Sequence, residues 1–272
     1  MKFKHLIIIF TIVIIFFLLI ITLLPSIIAG PEFAANFRNI TLPVSLFMAV
    51  LLISMNCFFL FNYRLLSLLE REDWPALAYY LEQKIYGKGQ YSARKVRLLA
   101  SSYLVVSDYS SVLRLESKLL TVRPELVEKN VLIFGAARVL DGNYKEAAVF
   151  FQTRLEKGRV KEEQWVRWFY GFSRMLAGAF ALAEPEFMTL AVSSGSAFIT
   201  GLSAYFLFNT LAKHSPKPEE CRAAAKKGRD RVVEKVKNTG GWKNEMVKME
   251  NEIHVTIVRK YIDQAGAWLF GP

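Results

Sequence analysis

The sequence is poor in the residues that build disulfide and metal sites. It has two cysteines, Cys57 and Cys221, and three histidines, His5, His214 and His254, in 272 residues. Cys57 lies in an apolar run and Cys221 in a polar segment, so no disulfide framework is indicated. No histidine lies near a cysteine or four positions from another histidine, so the spacing of a metal site is missing. We therefore expect neither a disulfide nor a bound metal.

Motifs for nucleotide binding and nucleophilic catalysis are also missing. The sequence has no P-loop, no nucleophile elbow and no dinucleotide fingerprint. The paired acids Glu162-Glu163 and Glu219-Glu220 are typical of helix starts, where the helix dipole favours a negative charge. We expect no catalytic residues and no cofactor, and the protein is predicted not to be an enzyme.

Two apolar runs near the N-terminus predict a membrane anchor in residues 1–70. The first, Leu6–Leu24, holds only Leu, Ile, Val and Phe apart from two threonines, and as a helix it spans about 28 Å. The second, 44–63, contains two serines and two asparagines, which are candidates for hydrogen bonds between helices in the bilayer. We expect spans at about 6–29 and 44–63, joined by a short linker at 32–42.

The charges around the two runs predict their orientation. Lys2 and Lys4 precede the first run, Arg38 alone lies between the runs, and several bases follow the second. The positive-inside rule then places both ends in the cytoplasm, with a multi-pass anchor in the bacterial inner membrane. Two alternatives stay open. The first run could be a signal peptide, although it is longer than a usual cleavable core, or it could be the sole span, which places the following domain in the periplasm.

An aromatic residue recurs every 35 or 36 positions after the second run. The recurring residues are Trp74, Tyr109, Tyr144 and Phe180. Nine positions before the last three stand the small residues Ala100, Gly135 and Gly171. Such spacing signals a helical repeat, and a small residue lets two antiparallel helices approach closely. We predict helix pairs at 93–126, 128–161 and 164–197, preceded by a lone helix at 72–87.

These positions resemble the tetratricopeptide repeat (TPR) family. An apolar residue directly before the small one is typical of that repeat, and here the pairs are Leu99-Ala100, Phe134-Gly135 and Tyr170-Gly171. The sequence departs from the family at Glu116, where an aromatic residue is usual, and at Pro185 inside a second helix. The resemblance implies an all-α protein in which a two-helix transmembrane hairpin precedes a TPR-like α-helical solenoid at 71–213, closed by capping helices.

The resemblance also implies that protein partners bind the concave surface of the solenoid. Trp168 is offset from the other aromatic residues of its helix, so it is a candidate to grip a partner segment. Arg138, Arg167 and Arg174 are candidates to line the same groove, because arginine suits carboxylates. The competing interpretations are packing between repeats for Trp168 and a solvated helix face for the arginines.

The last part of the chain, 214–272, is predicted to be a basic helical extension that caps the array. Residues 197–212 are nearly all apolar or small, and a buried helix fits them better than a third span. From Lys213 to Lys248 there are eleven bases and five acids, which suits anionic lipid headgroups. No nucleic-acid-reading motif accompanies this charge, so no nucleic acid is expected. A single amphipathic helix is expected from Trp242 to about Phe270.

The function expected from these features is that of a membrane-anchored TPR-like scaffold at the bacterial inner membrane. Proteins of this layout serve in envelope assembly, secretion and flagellar-motor accessory structures, as the resemblance implies. The layout of two spans followed by repeats is also similar to that of the HemY proteins. The alternative is a helical membrane enzyme or transporter subunit, for which a third span at 197–212 would be needed.

Overall fold

The computed structural model describes residues 2–158, 160–249 and 252–271. In the first seventy residues it gives side-chain positions for His5 and for 7–23, 27–28, 30 and 42–70, so the flanking charges Lys2, Lys4 and Arg38 lie outside the described side chains. The described residues are helical and contain no strand. The chain divides into two compact units, Met1–Tyr80 and Leu81–Pro272.

The helices are α1 (Lys2–Glu70), α2 (Trp74–Glu82), α3 (Ala93–Val105), α4 (Tyr109–Val122), α5 (Pro124–Glu128), α6 (Val131–Leu140), α7 (Tyr144–Lys157), α8 (Glu163–Leu176), α9 (Phe180–Ser193), α10 (Ala197–Asn209), α11 (Pro218–Val236), α12 (Thr239–Lys248), α13 (Ile253–Ile257) and α14 (Arg259–Phe270). A π-helical turn, Gln83–Gly87, continues α2, and a 3₁₀ turn, Leu211–Lys213, follows α10.

The first unit contains a helical stretch that is long and apolar enough to cross a membrane. This stretch, Leu42–Glu70, has 29 residues, and its most apolar 18 residues have a mean hydropathy of 2.3. At 1.5 Å per residue it is about 43 Å long, more than the ~30 Å of the hydrocarbon core. The first apolar run forms a shorter apolar helix, Ile7–Leu23. Among the described residues, one helix therefore meets the length criterion where two spans were expected.

Helix α1 is broken at Gly30, where φ is 81° and ψ is 170°. Residues 31–41 are helical, so the predicted linker at 32–42 is wrong and the chain changes direction at a single glycine. Asn56 Nδ2 donates a hydrogen bond to Thr11 Oγ1 at 3.4 Å, which joins the two stretches on either side of the break. The contact between helices that was expected of the second run's polar residues is thus present. Ile14, three residues after Thr11, is 8% exposed.

One turn geometry recurs in front of the predicted aromatic residues. Two positions before each of them the backbone is left-handed, with φ of 53° at Glu72, 58° at Ser107, 78° at Gly142 and 77° at Gly178. The next residue then donates its N–H to the carbonyl five positions earlier, as from Asp108 to Tyr103 and from Asn143 to Arg138, both at 2.9 Å. This is the hydrogen bond that closes a helix in the Schellman motif. The predicted recurrence of the aromatic residues is therefore a recurrence of one turn.

The small residues of the first helices lie where the second helices approach, as predicted. A Cβ atom built on Gly135 would lie 2.0 Å from Cζ of Phe151, and one built on Gly171 would lie 3.5 Å from the ring of Phe187. Glycine and phenylalanine are sixteen positions apart in both pairs. The pairs α3–α4, α6–α7 and α8–α9 pack against each other within the second unit.

The chain adds a fourth packed pair that the aromatic spacing did not reveal. Helix α10 lies against α9 and α11 and is buried along most of its length, so the prediction of a buried helix at 197–212 is confirmed. The single helix predicted from Trp242 to about Phe270 is wrong. The chain forms α12, α13 and α14 there, and α13 and α14 are separated at Val258, where φ is −99° and ψ is 10°. Breaking the helix lets its aromatic residues reach different parts of α8 and α10.

Candidate functional site

Trp168, predicted to grip a partner, is fully buried, with 0% of its surface exposed. Its ring stacks on Phe172 with 4.8 Å between centroids and an angle of 20°. It also meets Phe187 of α9 at 6.1 Å and Phe206 of α10 at 6.0 Å. The prediction of an exposed gripping residue is wrong because Trp168 lies where α8, α9 and α10 meet. Packing between helices is the correct interpretation.

Arg138 is held inside the fold by a buried carboxylate. Its Nη1 lies 2.6 Å from Oε2 of Glu116, and Nη2 of Arg154 lies 3.6 Å from the other oxygen. Both guanidinium groups also lie over the ring of Phe150, at 4.3 and 3.7 Å from its centroid. Burial lowers the pKa of Arg154, and the Glu116 carboxylate opposes this shift. Glu116, the departure from the repeat pattern, is thus the buried acid that pairs with both arginines, and Glu128 lies 4.0 Å from Arg154 as a second acid.

Arg167 and Arg174 are each engaged by a different helix. Arg167 contacts Glu163 at 3.0 Å and Glu186 of α9 at 3.3 Å. The hydrogen bond with Glu163, followed by the charge and hydrogen bond of Glu186, raises its pKa against the opposing effect of burial. Arg174 Nη2 donates to Oε1 of Gln152 in α7 at 2.9 Å. The predicted arginines therefore contribute to packing between helices, and their role in partner binding stays a prediction.

The face formed by the first helices of the pairs is covered by the chain's own C-terminal segment, residues 252–270. Ring centroids across this contact are 4.9 Å apart for His254 and Trp165, 5.4 Å for Tyr261 and Phe172, 5.2 Å for Tyr261 and Phe206, and 6.2 Å for Trp268 and Tyr205. An ion pair at 3.6 Å between Arg97 of α3 and Glu252 lies at the other end of this row. The C-terminal segment thus covers much of the surface that was predicted to bind a partner.

An open cleft lies beside the end of this segment, between the end of α10, α11 and α14. Its volume is about 750 Å³, and its lining includes Phe208, Trp268, Arg222, Lys226 and Arg229. We call it the aromatic-basic cleft. The side chain of Phe208 is 45% exposed. Its ring lies 5.6 Å from that of Trp268 at an angle of 38°. Two aromatic rings therefore form an apolar floor that water reaches.

The charges of the cleft lie on successive turns of α11. Arg229 lies over the Trp268 ring at 5.4 Å, and its Nε and Nη2 donate to the Leu269 carbonyl at 3.2 and 3.0 Å. This bond ties α11 to the last turn of α14 and fixes the tryptophan under a cation. Arg222 and Lys226 are exposed, and Asp230 and Glu234 also line the cleft. An apolar floor with cations on its rim suits a segment carrying an apolar side chain beside carboxylates.

Sequence reasoning missed this cleft because its two rings lie sixty positions apart. Phe208 reads as part of a buried helix, and Trp268 reads as one residue of an amphipathic stripe. The signal that did point here is the excess of bases from Lys213 to Lys248. Elsewhere in the described part of the chain, no group of three His, Cys, Asp or Glu side chains is arranged to hold a metal ion.

Comparison with known proteins gives two matches. The model of a family described as "Uncharacterised Treponema protein" matches residues 111–271. A protein of Treponema pallidum (strain Nichols), described as an uncharacterized protein, is 29% identical over 230 residues, which cover 81% of this chain and 72% of that protein. No solved structure matches the chain. The expected membership of the tetratricopeptide repeat family is therefore wrong, because the family model that matches is a different one and it covers the second and third of the predicted repeats.

Proposed function

The chain belongs to this family of uncharacterised Treponema proteins, and because that description names no activity, we propose a function from the site: a membrane-anchored adaptor that binds a protein partner. The partner's contact is a segment that presents an apolar or aromatic side chain flanked by carboxylates. The family description neither favours nor disfavours this role, so the proposal depends on the residues of the cleft.

The aromatic-basic cleft is the observation that carries the proposal. Binding energy at protein interfaces concentrates in a few aromatic and arginine side chains at pockets that exclude water. Phe208 and Trp268 supply the rings, and Arg229 is already fixed by the Leu269 carbonyl. Because this arginine is held before a partner arrives, little further conformational entropy is lost when it binds.

The stacked helix pairs support a binding role in a second way. Three helix pairs with one type of internal turn, and a fourth pair packed on them, are proposed to form a helical-repeat solenoid that presents a surface on a fixed frame. The C-terminal segment fills the face of the first helices. We therefore propose that the partner binds at the end of the array and not along its inner face.

Anchoring is proposed to use two spans in the bacterial inner membrane. Leu42–Glu70 is long enough on its own, and the break at Gly30 together with the Asn56–Thr11 hydrogen bond supports an antiparallel partner formed by the first run. Interhelical hydrogen bonds of this kind contribute about 0.6–2 kcal/mol in a bilayer. With both ends on the side rich in Lys and Arg, the second unit would be cytoplasmic.

Site-specific photocrosslinking in cells tests the partner site. A benzophenone amino acid in place of Phe208 should give one dominant protein adduct. The same amino acid in place of Val149, a 59% exposed apolar residue of α7, should not give that adduct. Trp268→Ala and the charge reversal Lys226→Glu should each reduce the yield from position 208. Equal adducts from both positions, or a yield unchanged by Trp268→Ala, would reject the cleft as the partner site.

A further inference from the structure

A second cavity, apart from the aromatic-basic cleft, lies where four segments of the second unit meet. Side chains from α3, from the turn between α5 and α6, from the residues before α8 and from the start of α13 form its walls. Its volume is about 60 Å³. A water molecule needs roughly 10–15 Å³ on this measure, so the cavity holds about four to six non-hydrogen atoms. We call it the His254 cavity.

Two residues that line this cavity each carry a buried acceptor atom without a hydrogen-bond partner among the described residues. Asn130 is 4% exposed, and its Nδ2 donates to the Leu126 carbonyl at 2.8 Å, which fixes the amide orientation and leaves Oδ1 unpaired. His254 is 3% exposed, and its Nε2 is unpaired. Buried polar atoms are rarely left in this state, and an occupant of the cavity that carries hydrogen-bond donors would satisfy both.

The protonation of His254 makes its Nε2 an acceptor. Nδ1 lies 3.9 Å from a carboxylate oxygen of Glu252, which favours the tautomer with the proton on Nδ1. Burial, followed by the charge of Arg97, lowers the pKa of His254 to about 4, so the ring is neutral at physiological pH. The occupant must therefore bring hydrogen-bond donors to both Asn130 and His254.

The rest of the wall favours a negatively charged group of the occupant. Arg97, Lys129 and Lys161 line the cavity, as do the first residues of α6. The start of a helix is the positive end of its dipole, and together with these cations it favours a carboxylate. The acids Glu128, Glu162 and Glu252 balance the cations in number, so the site suits a ligand whose own charges sum to zero.

We propose that the His254 cavity binds a small zwitterionic amino acid. The ammonium group donates to Asn130 Oδ1 and His254 Nε2, and the carboxylate lies towards Arg97 and the start of α6. Glycine and alanine, the smallest amino acids, match the volume. Glu252 and His254 belong to the C-terminal segment and the other walls belong to the helix pairs. The occupant therefore fastens the segment to the array.

Titration calorimetry of the full chain in detergent, in a buffer without amino acids, tests this assignment. Glycine and alanine are the ligands. Acetate tests the carboxylate alone, methylammonium tests the ammonium group alone, and urea tests an uncharged hydrogen-bond donor. Glycine should bind with a saturable isotherm and more tightly than any of the three. Acetate or urea bound as tightly as glycine overturns the proposal, and so does a folded chain that gives no isotherm with glycine or alanine.

Two substitutions connect the binding to the cavity. His254→Phe keeps an aromatic ring against Trp165 and removes the Nε2 acceptor, and we expect glycine to bind at least about tenfold more weakly. His214→Phe, at the histidine stacked on Phe180 with 4.0 Å between centroids, is the matched control and should bind as the unmodified chain does. Binding that survives His254→Phe contradicts the proposal.

The second substitution, Arg97→Gln, keeps the test decisive if His254→Phe fails to fold. Arg97 is 42% exposed in its side chain, so its loss should leave the fold intact. Glycine should bind more weakly to this variant while methylammonium is unaffected. Unchanged glycine binding by Arg97→Gln would overturn the placement of the carboxylate. Circular dichroism of each variant shows that it is folded.

Discussion

Replacing Gly135 by alanine should destabilise the second unit although alanine is the better helix former. The added Cβ would lie 2.0, 2.4 and 2.7 Å from three ring atoms of Phe151, where carbon atoms prefer about 3.5–4 Å. The Phe151 ring is fully buried and stacks on Phe169 at 5.7 Å, so it cannot swing away without displacing a second ring. Overpacking costs about 1–3 kcal/mol, and alanine regains about 1 kcal/mol of helix propensity.

With the severe overlap at this position, the net loss should be about 2 kcal/mol. For a unit of this size each kcal/mol lowers Tm by roughly 2–4 °C, so far-ultraviolet circular dichroism should record a fall of about 4–8 °C. Gly171→Ala is the control, because its nearest contacts would be 3.3 and 3.5 Å. Adding Phe151→Leu should restore much of the loss. Equal Tm values for the two alanine variants would refute the close-approach argument.

Three further predictions follow from single side chains. Glu116→Gln leaves Arg138 and Arg154 without their buried carboxylate and should lower the free energy of unfolding by about 3 kcal/mol in urea denaturation; an unchanged midpoint would contradict it. Burial lowers the pKa of His254 from 6.5 to about 4, so its neutral form stabilises the fold above pH ~6.5, and up to ~3 kcal/mol is lost as pH falls through about 4. His254→Phe should remove that part of the acid sensitivity of the urea midpoint. Cys57, inside the apolar stretch, should react with an impermeant maleimide in a Cys221→Ser chain unfolded in sodium dodecyl sulfate but not in intact membrane vesicles, and labelling in vesicles would argue against a span there.

The turns and close approaches of the fold could be predicted from the sequence because they depend on local chemistry. Gly142 and Gly178 supply left-handed backbone in two of the turns, and the residue between the glycine and the aromatic residue donates the hydrogen bond that closes the turn. Gly135 marks a helix contact because nothing larger fits there. The turn and the close approach each join residues at most sixteen positions apart, so both can be seen in the spacing of the sequence.

The candidate site depends on contacts that sequence spacing does not encode. Trp168 and an exposed tryptophan look alike on a helical wheel, and the burial of Trp168 is decided by Phe206 of a helix that the repeat pattern did not include. The cleft needs α14 to turn back onto α10, and the break that allows this falls inside a stretch that reads as one continuous helix. The family was also misread, because short motifs of small and apolar residues recur in unrelated helical arrays.

The C-terminal segment leaves the ribosome after the helices that it covers. Tyr261 follows its partner Phe172 by 89 residues, so at about 5–20 residues per second the ring waits roughly 5–20 s for its cover. During that time an apolar, aromatic surface is exposed to water. A chain truncated before Arg259 would keep this surface exposed permanently. We expect such a product to be bound by chaperones and degraded by proteases.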